Sequence, residues 1–125
     1  MAESAVQAAN GALAEYFRRE KELEEMSSDM WEARYKGILR DAIVRVAQEL
    51  LKTIEPGGDV YLYTPEPGVN DAYLTSQGKV VFRYHPPLKP KEETIEEFAY
   101  HMSADPHIAR NTLNTLSRVL HKHKS

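Results

Sequence analysis

The sequence predicts an α+β fold: two long N-terminal helices, a small three-stranded antiparallel sheet and a C-terminal pair of helices. Three observations carry this expectation. Apolar residues recur at three- and four-residue steps from Trp31 to Ile54, the period falls to two between Asp59 and His85, and two capping signals, at Thr94 and Asp105, follow a stretch rich in proline. With 125 residues, 42% hydrophobic and 28% charged, the chain suits one globular domain able to build its own core. Its expected organisation is a helical hairpin with a β-meander over 1–85, a spacer over 86–93, and a two-helix unit over 94–125 docked on the rest.

The first helix is expected over 3–26. Its first half is rich in alanine, which permits close approach to a neighbour, and its second half, RREKELEE, reads as a solvated charged face. Ser27-Ser28-Asp29 offers a start signal for the next helix, expected over 29–54. There Trp31, Tyr35, Ile38/Leu39, Ala42/Ile43, Val46/Ala47, Leu50/Leu51 and Ile54 make a stripe wide enough to face a core. Pro56-Gly57-Gly58 ends it.

Strands are expected at 59–64 (DVYLYT), 72–75 (AYLT) and 79–85 (KVVFRYH), joined by Pro65-Glu66-Pro67-Gly68 and Ser76-Gln77-Gly78. In the third, Val80, Phe82 and Tyr84 share one face while Val81 and Arg83 share the other. Pro86, Pro87 and Pro90 then favour an extended spacer. Thr94 with Glu97 fits a capping box that opens a helix over about 95–103. Asp105 as N-cap and Pro106 at the first helical position open a last helix over 106–122, expected to bury Ile108, Leu113, Leu116 and Leu120.

Charge is uneven. Residues 1–55 carry a net −3, residues 56–105 a net −4 and residues 106–125 a net +4, the last with no acidic side chain. The basic segment would attract nucleic acid, although basic residues also accumulate at helix C-termini for reasons of the dipole alone. The stretch IEEFAYHMSADPHIARNTLNTL, residues 95–116, resembles the helix-turn-helix of DNA-binding proteins. The resemblance makes Ala99 the small residue at the helix crossing, Phe98 and Met102 the core of the first helix, Ala104 the plug of the turn and Asp105 the cap of a recognition helix. Ile108 or Ala109, with Leu113, would pack that helix inward. Ser103 stands where the motif favours glycine, and no β-wing follows.

On this reading the outward face of the last helix carries His107, Arg110, Asn111, Asn114 and Arg118. Arg110, Asn111 and Asn114 suit base edges, and His107, Arg118, Lys122 and Lys124 suit phosphates. A half-site reader of this size would act as a homodimer, for which Ala5, Ala9, Ala12, Leu13 and Tyr16 on the Ala-rich first helix offer a face. The alternative is a plain helical hairpin at the C-terminus and a non-enzymatic assembly or adaptor subunit that self-associates through helices 1 and 2.

Signals of other chemistry are few. Without cysteine there is no disulfide, thiolate nucleophile or Cys-type zinc site. Glu97, His101 and Asp105 would share one face only if their helix were continuous past Ala104, and no metal site is expected. No phosphate-binding glycine loop or nucleophile elbow occurs, and Glu24-Glu25, Glu92-Glu93 and Glu96-Glu97 read as solvated pairs. No enzymatic activity and no cofactor is expected. Tyr61, Tyr63, Tyr73 and Tyr84 fall in the sheet, where rings can stack bases, but tyrosine is common in strands in any case. The N-terminal MAESAVQAANGALAEYF has no basic segment followed by an apolar one, so an intracellular location is expected. The sequence thus predicts a small duplex-DNA-associated regulator, or an accessory factor of viral or plasmid type.

Overall fold

The computed structural model describes residues 2–23, 31–63, 69–84 and 88–124. Among the described residues, four α-helices stand with one four-stranded antiparallel sheet. In chain order they are α1 (Ala2–Leu23), α2 (Gly37–Leu51), β1 (Asp59–Tyr63), β2 (Val69–Thr75), β3 (Lys79–Tyr84), β4 (Lys91–Thr94), α3 (Ile95–Met102) and α4 (Pro106–Lys124). A π-helical turn, Glu32–Lys36, precedes α2 without a break. No described helix is long and apolar enough to cross a membrane.

The second helix carries the core. Leu39, Ala42, Ile43, Val46, Ala47 and Leu50 of α2 are buried, and α1, α3 and α4 all pack against it. The π turn has a physical reason. Trp31, Tyr35 and Leu39 are four apart and all buried, and a uniform α-helix would rotate such a row around its axis. One wider turn keeps the three in line. Tyr16 of α1 meets Trp31 edge-on with ring centroids 5.0 Å apart, and Tyr35 at 5.7 Å. The Trp31 indole N–H donates to the Ser103 carbonyl, 3.0 Å away, between α3 and α4. The helix ends earlier than its periodicity implies: tight turns from Thr53 to Leu50 and from Ile54 to Leu51 replace its last residues, and Gly57 takes a positive φ of 80°. The start signal at Ser27–Asp29 and the loop at Pro65–Gly68 lie outside the described residues.

The expected three-stranded sheet is corrected to four strands in the order β1-β2-β3-β4. The middle strand, expected over 72–75, runs from Val69 to Thr75. The added strand, β4, occupies 91–93 of the segment read as a spacer. The prolines all precede it, so Lys91–Thr94 keep their backbone N–H groups and pair with Lys79–Phe82. Its alternation puts Glu93 beside the buried Val80 and leaves Glu92 beside the half-buried Val81. Glu93, read as solvated, is therefore buried at 5% exposure. A carboxylate facing inward on an edge strand also discourages edge-to-edge pairing with other chains.

One sheet face, with Val60, Leu62, Ala72, Leu74, Val80 and Phe82, is buried, and the Phe82 ring lies 6.0 Å from that of Phe98 of α3, tilted by 35°. The other face carries the cross-strand row Tyr61–Tyr73–Val81. There the Arg83 guanidinium lies 4.5 Å from the Tyr73 ring centre and donates to both Asp71 carboxylate oxygens, at 2.8 and 3.1 Å. Asp71 is held below its ordinary pKa, chiefly by this hydrogen bond.

Candidate nucleic-acid interface

The C-terminal pair is built by two caps. Thr94 and Glu97 form the complete reciprocal box: the Thr94 hydroxyl accepts from the Glu97 N–H, and a Glu97 carboxylate oxygen accepts from the Thr94 N–H. These bonds, the backbone one first, hold the Glu97 carboxyl below its ordinary pKa. Asp105 accepts from the N–H groups of His107 at 2.8 Å and Ile108 at 3.3 Å, and so starts α4. Between them Ser103 has φ −93° and ψ 3°, outside the left-handed region, so serine fits where the helix-turn-helix resemblance implies glycine.

Two packing expectations within this pair are corrected. The buried residue of the turn is Ser103, not Ala104, which is exposed. Its carbonyl is drawn inward by the Trp31 indole, which turns the next residue out. Ile108 is 47% exposed, and Ala109 is the residue buried in that turn of α4. The buried line of the helix runs through Ala109, Thr112, Leu113, Leu116 and Leu120, and Ile108 lies off its edge.

The opposite line carries His107, Arg110, Asn111, Asn114 and Arg118, all exposed. Their spacing puts them on one face over roughly 16 Å of helix, at 1.5 Å per residue. No acidic residue occurs between Pro106 and Lys124. At the N-terminal end of this face, Phe17 of α1 supports two of the residues. The His107 ring lies 5.0 Å from the Phe17 ring centre and the Arg110 guanidinium 4.9 Å from it. A guanidinium stacked on a ring keeps its donor fork in its own plane, available to a phosphate or a guanine edge. At the other end, Arg118 and Lys122 border a recess of about 370 Å³ against β1, where Asp59 is the neighbouring carboxylate. Lys122 is exposed, and the side chain of Lys124 lies outside the described residues. The sequence did not single out Phe17 for this role. Its only signal is its place one residue from Tyr16, on the boundary between the buried and exposed faces of α1.

The dimer face expected on α1 is corrected. Ala9, Ala12, Leu13 and Tyr16 are buried within the single chain, at 0 to 7% exposure, and Ala5 packs partly against the same core. The small alanines bring α1 close to α2, which is the neighbour that they were expected to find in a second copy.

Comparison with protein-family models, curated proteins and solved structures returns no match.

Proposed function

We propose that this protein associates with duplex DNA through the exposed face of α4. The observation that carries the reading is a 19-residue helix without a carboxylate, whose outward line is His107, Arg110, Asn111, Asn114 and Arg118. The whole chain carries a net −3, so this local positive face is the part of the molecule that a polyanion would approach. Arg110, Asn111 and Asn114 are of the residue types that read base edges, and His107, Arg118 and Lys122 of those that hold phosphates. An α-helix of this diameter suits the major groove, about 12 Å wide.

The reading predicts that changing Arg110→Glu and Arg118→Glu together abolishes binding of a fluorescent duplex in an anisotropy titration. Changing Arg34→Glu and Arg40→Glu, exposed basic residues of the π turn and of α2, serves as the control and should leave binding within about threefold. Equal losses from both pairs would reduce the interaction to the protein's overall charge and overturn the role given to α4. Labelled single strands and RNA in the same titration measure the preference for duplex DNA.

A further inference from the structure

We propose that the recess where the first turns of α1 meet α2 and the C-terminal half of α4 binds a small uncharged molecule, an apolar ring or short chain bearing one hydroxyl, which pairs with the Ser117 hydroxyl. The recess has a volume of about 330 Å³. Ala2 and Val6 of α1, Val46 of α2 and Leu120 of α4 supply its apolar walls. Glu3, Gln7 and His121 are exposed and stand at its rim. That volume lies at the small end of ligand sites, and the mixture is theirs too: apolar walls with a few polar groups.

Ser117 carries the inference. It shares the inward line of α4 with Leu113, four residues before it, and Leu120, three after, both buried. A large apolar side chain would continue that line and fill the recess, whereas serine leaves it open. The Ser117 hydroxyl oxygen is buried and has no hydrogen-bond partner among the described residues. Leaving a buried hydroxyl unpaired is costly, and a ligand hydroxyl placed there removes the cost. The other buried residues of the recess, Ala2, Val46 and Leu120, offer no polar side chain. A water at that depth therefore falls short of the roughly two to four polar partners that a buried water needs. The same walls disfavour charge, since a charged head carried down to Ser117 would lose its hydration. At the rim, the Glu3 carboxylate stands in the first turn of α1 and opposes the positive end of that helix dipole, so no strong field of either sign draws an ion in.

An NMR titration of the isotope-labelled protein with phenol and with toluene tests this, because toluene has nearly the shape of phenol with a methyl group in place of the hydroxyl. Phenol is expected to shift the amide signals of Val6, Val46 and Ser117 saturably, with a Kd of about 1 mM. Benzoate and benzylammonium are expected to bind at least about fivefold more weakly than phenol. Ser117→Ala keeps the space and removes the hydroxyl. It should lower the ratio of phenol affinity to toluene affinity at least about fivefold, a change that altered packing alone would not produce. Ser117→Leu fills the recess and should abolish the phenol shifts, with the fold checked by circular dichroism. Ser117 lies on the inward side of α4, so Ser117→Ala should leave the duplex titration unchanged, and the outcome is separate from that of the DNA reading. An unchanged phenol-to-toluene ratio in Ser117→Ala, phenol shifts that persist in Ser117→Leu, either ion binding as tightly as phenol, or no saturable shift up to about 20 mM phenol would each overturn the proposal.

Discussion

Trp31 joins parts of the chain that are 72 residues apart. Its indole is buried at 1% exposure and donates to Ser103, in the corner between α3 and α4. Phenylalanine at this position would leave the buried Ser103 carbonyl without a partner, at a cost of about 1–3 kcal/mol. Urea unfolding followed by circular dichroism should show Trp31→Phe less stable by that amount. On the open sheet face, Asp71 and Arg83 give a prediction in pH. The folded state depresses the Asp71 carboxyl below 3.8, so its contribution to stability is present above that value and is lost as pH falls through the lower folded-state value. Glu97 behaves in the same sense, from an ordinary value of 4.5. Stability is therefore expected to decline in acid, below about pH 4.5, and Asp71→Asn should flatten the part of that decline owed to Asp71. An unchanged slope in the variant would show that the Arg83 contact does not hold the carboxyl down.

At the scale of elements, the legible features were those written in local chemistry. The Thr94–Glu97 box and the Asp105 cap each depend on two or three neighbouring residues, and both are formed. Thr94→Ala should cost about 0.5–2 kcal/mol in chemical denaturation and raise the Glu97 carboxyl toward its ordinary value. The fourth strand was not legible, because Lys91–Thr94 has the composition of a solvated loop and becomes a strand only by pairing with β3. Glu93 was hidden for the same reason: its burial follows from sheet register, and its partner His101 lies eight residues away on the next helix. Ile108 fell just outside a buried line that the sequence alone locates to within about one residue. The α1 face was read correctly as apolar, but a sequence does not say whether an alanine stripe meets its own chain or another.

Across the whole molecule, charge and packing divide the surface. The acidic excess lies in the first 105 residues, while α4 carries basic, amide and imidazole groups outward and its leucines inward. This division was visible in the composition of the last twenty residues. The support of His107 and Arg110 by Phe17 was not, since it depends on how α1 lies beside α4. The measurement that tests the central claim most directly is the anisotropy of a labelled duplex titrated with this protein at two salt concentrations fourfold apart. If α4 engages three to five phosphates, the association constant should fall by about 40- to 500-fold across that interval, following a slope of about −0.9 per phosphate. Binding that is absent at the lower salt, or that barely changes between the two, would contradict a basic helix face seated on the DNA backbone.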